Sequence, residues 1–110
     1  SNYVTILIQQ QTMEVIMARH TNQEVINAFI NQRRAQSLRL TTDGVNLYSY
    51  SLIIGKWFGG KPFVFDYTTT GGAFKSMTTS QHVGLIKRAL PKDNVMLVEF
   101  AKSINIIGGE

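Results

Sequence analysis

The chain has 110 residues, with eleven Lys and Arg against seven Asp and Glu and a formal net charge of +4. Its 44% hydrophobic and 16% charged residues exclude a disordered tail, because this composition can bury enough apolar surface to offset chain entropy. The length supports one domain over 1–110, and the absence of Cys excludes disulfides, thiolate metal ligands and a Cys nucleophile. No apolar run approaches the roughly 18 residues that span a bilayer, so we expect a soluble, cytoplasmic protein with no membrane partner.

The residue pattern in the first third of the chain predicts strands followed by a helix. Residues 3–8 are β-branched and aromatic and predict a strand, and residues 13–17 predict a second strand or a lead into the helix. Thr21 and Glu24 have the spacing of a capping box, which opens a helix to about residue 35. In this prediction Arg33 and Arg34 lie in the last helical turn, where cations suit the helix dipole.

From residue 37 the pattern changes to short alternating segments separated by turn residues, which predicts an antiparallel meander. Strands are predicted at 38–40, 45–54 and 62–67, with reversals at 43–44 and 59–60, where glycine accepts a positive φ. Residues 47–54 are apolar on both faces of a single predicted strand. A homodimer that covers one of these faces is therefore a hypothesis.

The last third predicts a second helix and further strands. Residues 73–77 are a candidate short strand, and the helix then starts at a capping box of Thr78 and Gln81 or at Ser80 as the N-cap. Pro91 ends the helix, and strands are predicted at 95–100 and 104–107. The whole pattern predicts an α+β fold: an antiparallel sheet of about five strands with two helices packed on one face.

Two motifs resemble small uncharacterised proteins of phages and other mobile elements. The chain reads DGVNLYSY from Asp43 and TTSQH from Thr78, matching a DGxxLYSY hairpin followed by a TTSxH helix start. The resemblance covers about residues 36–90 and leaves out the stretch before Gln23. It implies an α+β fold, a mobile-element origin and a role in handling nucleic acid or blocking a host protein, and it carries no catalytic residue.

The candidate residues for catalysis are few. Thr79, Ser80 and His82 lie near a helix N-terminus, where backbone amides hold anions, although we favour an ordinary capped helix with an orienting His over an anion site. His20 and His82 lack ligand spacing and Cys partners, so we expect no metal site and no cofactor. An enzyme acting on nucleotides would need a pocket joining His82 to Asp66 or Glu99. No nucleophile is placed by any motif, and we expect no enzyme.

The segment 56–61 places two aromatic residues and two cations at a hairpin tip, an arrangement used by single-strand binders. We therefore predict a nucleic-acid-binding protein, DNA or RNA, whose basic, aromatic-tipped surface comprises Arg33, Arg34, Lys56, Trp57, Phe58, Lys61, Lys75, Lys87 and Arg88. The alternative is a non-catalytic protein interaction module, such as an inhibitor of a host factor or a structural component, anchored by Trp57 and Phe58. Cations that converge on one face favour nucleic acid, and cations scattered around an apolar patch favour a protein partner.

Overall fold

A computed structural model describes residues 20–70 and 72–108, so the strands predicted at 3–8 and 13–17 lie outside the described residues. The helices of the described part are α1 (Asn22–Ile30), α2 (Met77–Ala89) and α3 (Val98–Ser103), and a 3-10 turn covers Lys92–Asn94. The strands are β1 (Arg34–Gln36), β2 (Leu40–Asp43), β3 (Asn46–Ser49), β4 (Leu52–Phe58), β5 (Lys61–Phe65) and β6 (Val95–Met96).

The strands form one open sheet, which confirms the α+β class. Its order is β1-β2-β3-β4-β5-β6, with antiparallel neighbours from β1 to β5. The prediction of about five antiparallel strands is wrong at one edge, because the sixth strand, β6, runs parallel to β5. The parallel pairing arises because the chain returns through α2 and the 3-10 turn, a crossover that enters the sheet from the end where β5 begins.

The first helix begins as predicted and ends early. Thr21 Oγ1 accepts from the Glu24 amide at 3.1 Å, and Glu24 accepts from the Thr21 amide at 2.8 Å, which confirms the capping box. Gln32 then takes a φ of 56°, and the Arg33 amide donates to the Ala28 carbonyl at 2.8 Å, a Schellman ending. The prediction that the helix extends through Arg33 and Arg34 is therefore wrong.

The predicted strand at 45–54 is two strands, because the chain reverses at residues 50–51. Tyr50 adopts a φ of 57°, and its amide donates to the Arg39 carbonyl at 2.8 Å. A positive φ is unusual for a bulky residue, and periodicity gives no warning of it. The apolar residues on both faces of the segment 47–54, which motivated the homodimer hypothesis, therefore belong to two different strands. Dimerisation stays a prediction.

Helices α1 and α2 cover the same face of the sheet, as predicted. Leu47 and Ser49 share this face of β3, and Ser49 contacts α2. A Cβ added to Gly55 would lie 3.2 Å from Leu47 Cβ and 3.3 Å from Phe29 Cζ, which belongs to α1. Gly55 thus lets α1 approach the sheet closely. The Asp43–Gly44 and Gly59–Gly60 reversals are confirmed, with φ values of 96°, 61° and 80° for the three glycines.

The C-terminal region differs from its prediction. Residues 73–77 form no strand, and Ser76 is the N-cap of α2, accepting from the Thr79 amide at 3.1 Å. The predicted strand at 95–100 is wrong beyond Met96, because Val98 and Ala101 are spaced three apart and are buried together on α3. The predicted strand at 104–107 is also wrong, because the chain turns at Asn105, which has a φ of 60°, and the Ile106 amide donates to the Ala101 carbonyl at 3.0 Å. Helix α3 lies on the second face of the sheet, beside Phe63.

No helix among residues 20–70 and 72–108 combines the length and the apolar character that a membrane span requires.

Candidate nucleic-acid interface

The second face of the sheet carries a row of paired side chains at the end of the strands nearest the Gly44 and Gly59 turns. Across the strands, Arg34 pairs with Asp43, Asn46 pairs with Lys56, and Lys56 pairs with Phe63. Directly paired residues of antiparallel strands project to the same side, so these side chains form one cross-strand row. They alternate with the buried Thr42, Leu47 and Val64, which face the helices.

Further residues extend this surface. Phe58 and Lys61 pair at the hairpin tip on the same side as Lys56 and Phe63, and Tyr48 pairs with Thr41 one row further from the tip. We call this surface the open face and define it as Arg34, Thr41, Asp43, Asn46, Tyr48, Lys56, Phe58, Lys61 and Phe63. Each of these side chains is exposed or half-buried, and Phe58 is 49% exposed.

Three cations of the open face have no carboxylate partner within the described part of the chain. Arg34, Lys56 and Lys61 take part in none of its ion pairs, whereas Lys87 and Lys102 do. Their charges are therefore available to a ligand. Unpaired cations that alternate with aromatic rings are the arrangement that holds a nucleic-acid backbone beside its bases.

One carboxylate of the row, Asp43, already accepts hydrogen bonds that stabilise the turn at Gly44. Hydrogen bonds from the backbone amides of Asn46, at 2.7 Å, and Val45, at 2.9 Å, lower the pKa of the Asp43 carboxyl, the Asn46 amide contributing most. Asp43 therefore carries its negative charge at neutral pH and offsets one of the three cations. The neighbouring Asn46 Oδ1 is shielded from solvent and accepts no hydrogen bond in the described part of the chain.

Trp57, predicted to stack on bases, lies on the helix-covered face. Its indole Nε1 donates to the Phe29 carbonyl at 2.7 Å, and its ring packs against the core. Alternation along β4 places Lys56 and Phe58 on the opposite side of the sheet from Trp57. The structure thus separates Trp57 from the two neighbours with which the sequence grouped it.

The remaining predicted cations do not join the row. Lys87 Nζ lies 3.2 Å from Asp66 Oδ1, a carboxylate that is only 6% exposed, so this lysine is engaged in a partly buried ion pair. Arg88 is exposed on α2, and Lys75 lines a separate pocket with Ser51 and Lys102. Arg33 precedes β1 beside the row without belonging to it. The open face therefore brings together four of the nine predicted residues, namely Arg34, Lys56, Phe58 and Lys61.

The predicted anion site faces the core instead of solvent. His82 and Thr79 are each 3% exposed; Ser49 Oγ lies 2.7 Å from His82 Nδ1 and 3.0 Å from Thr79 Oγ1. Burial lowers the pKa of His82 below its usual value, and the Arg39 guanidinium lowers it further. A buried, neutral imidazole that joins α2 to β3 suits a structural role, and Ser80 on the same turn has no bond to this cluster.

The buried Ser49 and His82 pair has the spacing of a nucleophile and its base, but Ser49 is fully buried, so no substrate reaches its hydroxyl. Glu99, one of the carboxylates considered for an enzyme, lies on α3 at 3.8 Å from Lys102. Among the described residues, no group of three His, Asp or Glu side chains could hold a metal ion.

No protein-family model matches the chain, and neither a curated protein nor a solved structure is significantly similar to it. The assignment of the site therefore depends on its geometry. Tyr48, Asn46 and Phe63 were absent from the predicted site. Their alternation with buried residues along β3 and β5 is the signal that places them beside Lys56 once the hairpin register is known.

Proposed function

We propose that the chain is a small accessory nucleic-acid-binding protein of phage or mobile-element type, which contacts its ligand through the open face. The observation that supports this proposal is the open face, on which Lys56 and Lys61 lie without ion pairs beside Phe58 and Phe63. Arg34 adds a third cation at the β1 edge, where its cross-strand partner is Asp43. Cations bind phosphates, and exposed aromatic rings stack on bases.

The size of the row suits a segment of nucleic acid. From β1 to β5 it crosses four strand spacings, roughly 19 Å at about 4.8 Å per spacing. OB folds, which also hold a single strand in a positively charged groove lined by aromatic rings, bind on the order of 4–16 nucleotides. A flat strand face with aromatic side chains is suited to unstacked bases, so we expect single strands to bind more tightly than duplexes.

The first experiment is a fluorescence anisotropy titration with labelled single-stranded and duplex DNA and RNA at a series of salt concentrations. Salt weakens the binding because bound cations release counterions from the phosphates. The variant Lys56→Gln/Lys61→Gln removes two phosphate contacts. Its logarithmic salt slope on single strands should fall by about 1.4, given roughly 0.7 per contact.

A matched control removes the same number of charges elsewhere. Arg39→Gln/Arg88→Gln lowers the net charge equally but changes side chains at the Tyr50 turn and on α2, away from the open face. It should keep the wild-type salt slope. An equal loss in both double variants would show that net charge alone drives binding, and an absence of binding at low salt would reject the proposed function.

A second candidate function, the protein interaction module, has its own supporting observation. Leu97, Phe100 and Ile104 are spaced along one side of α3 and are 58%, 55% and 43% exposed. Such a stripe is typical of a protein-binding surface. If no nucleic acid binds at low salt, we expect Phe100→Ala to reduce binding to a protein partner without loss of the fold.

A further inference from the structure

A groove lies at the border of the open face, between β5 and α3. Its volume is about 460 Å³, and its lining comprises Phe63, Asp93, Val95, Met96, Leu97 and Phe100. Two aromatic rings, one from each side, and aliphatic or thioether side chains form most of its surface. A flat, largely apolar ligand group with a polar edge fits this chemistry.

The groove is continuous with the cations of the open face. Phe63, which lines it, is the direct cross-strand partner of Lys56, and Lys61 lies two residues earlier on the same side of β5. A nucleic-acid strand whose phosphates contact these lysines therefore passes the mouth of the groove. One of its bases can enter without the strand leaving the open face.

The single carboxylate of the groove, Asp93, is free to accept hydrogen bonds. It is exposed, and within the described part of the chain its side chain makes no hydrogen bond or ion pair. The turn that carries it is anchored, because Asn94 Nδ2 donates to the Pro62 carbonyl at 2.8 Å and the Asn94 amide donates to the Pro91 carbonyl at 2.9 Å. The backbone that carries the acceptor is thus held at the groove.

We infer that the groove holds one unpaired base of a bound single strand and prefers guanine; this inference rests on the proposed function. Guanine presents two adjacent donors, N1–H and the 2-amino group, which can bind both oxygens of the Asp93 carboxylate. Thymine presents one N–H between two carbonyl oxygens, which the carboxylate repels. Stacking between Phe63 and Phe100 holds any base, and Asp93 selects among bases.

The test compares oligonucleotides that differ at one base. Anisotropy is measured with a fluorescein-labelled oligothymidylate of about ten nucleotides, and with the same strand carrying one central guanine or one hypoxanthine, which lacks the 2-amino group. We expect guanine to bind about tenfold more tightly than thymine, with hypoxanthine in between. The strand can slide along the open face, so one guanine in any register suffices.

Two variants assign this preference to the groove. Asp93→Ala should abolish the gain from guanine and leave oligothymidylate binding unchanged or slightly tighter, since a negative charge is lost. Glu99→Ala removes an exposed carboxylate from α3 outside the groove and should keep the guanine preference. Circular dichroism of both variants establishes that they are folded.

The outcomes separate the two proposals. If no oligonucleotide binds at low salt, the proposed function fails, and the groove inference fails with it. If oligothymidylate binds and Lys56→Gln/Lys61→Gln weakens it, but guanine gives no gain or Asp93→Ala keeps the gain, the groove inference alone is overturned. Phe100→Ala removes one of the two stacking rings and should weaken the binding of every oligonucleotide; a Phe100→Ala variant that binds them all as tightly as wild type would also overturn the groove inference.

Discussion

The buried imidazole of His82 makes the stability of this fold depend on pH. His82 joins α2 to β3 through Ser49, and burial, followed by the Arg39 guanidinium, lowers the pKa of His82 below its usual value of 6.5. The unfolded chain therefore takes up a proton at a higher pH than the folded chain. Stability is complete above pH 6.5, decreases as the pH falls below it, and levels off below the folded-state pKa of His82.

The size of this pH effect follows from the difference in proton binding between the folded and the unfolded chain. Within that window, one proton costs about 1.4 kcal/mol of unfolding free energy per pH unit. Lowering the pH from 8 to 5 crosses at most about 1.5 units of the window, so the expected loss is up to about 2 kcal/mol. The lowered pKa values of Glu24 and Asp43 keep both carboxylates ionised in this range.

The assay is urea unfolding followed by Trp57 fluorescence at several pH values between 5 and 8. His82→Gln should be about 1–3 kcal/mol less stable than wild type at pH 8, because Ser49 Oγ loses one of its two partners in a buried site and keeps only Thr79 Oγ1. The difference between the two proteins should shrink toward pH 5. His20→Gln, a change of the partly exposed second histidine, should keep the slope that His82 causes.

Arg39→Gln provides an independent check, since removing the guanidinium raises the folded-state pKa of His82 toward 6.5 and the loss of stability at low pH becomes smaller. NMR titration of the His82 ring protons reports this pKa directly. Parallel stability curves for wild type and His82→Gln from pH 8 to pH 5 would refute the reasoning.

Three further changes test the packing. Trp57→Phe keeps an aromatic side chain, smaller than the indole, but removes the donor to the Phe29 carbonyl, so chemical unfolding followed by circular dichroism should show a loss of at least about 1 kcal/mol. Gly55→Ala places a Cβ 3.2 Å from Leu47 Cβ and 3.3 Å from Phe29 Cζ on α1, and should cost about 1–3 kcal/mol by overpacking; a neutral result would mean that α1 does not approach β4 closely. Gly84→Ala, within α2, meets only the flexible end of the Arg88 side chain at 3.5 Å and should raise the thermal midpoint, with a gain of about 0.5–1 kcal/mol.

Local elements whose signals lie within a few residues could be predicted from the amino-acid sequence. The Thr21 and Glu24 capping box started α1, Pro91 followed the end of α2, and Gly44 and Gly59 turned the chain. Each signal is a hydrogen bond or a backbone preference of neighbouring residues, so it can be identified from one amino-acid sequence. These signals also sufficed for the α+β class and for two helices on one face.

At other positions the tertiary structure overrides the local backbone preference of the residue. Gln32 and Tyr50 take positive φ values that their side chains do not favour, and both end an element that periodicity extended. Parallel pairing of β6 depends on residues 31 positions away, and the burial of Val98 with Ala101 turned a predicted strand into α3. Such outcomes follow from contacts distant in sequence, which composition and spacing do not encode.

The candidate site divides in the same way. Composition located the cations and aromatic residues of the segment 56–61. Alternation along β4 separates Trp57 from Lys56, and only the register of β3, β4 and β5 places Asn46 and Phe63 beside Lys56. A strand alternates its side chains between two faces, so neighbours in sequence lie on opposite sides of a sheet, and neighbours in space come from other strands. The sequence supplied the chemistry of the open face, and the hairpin register determined which residues share it.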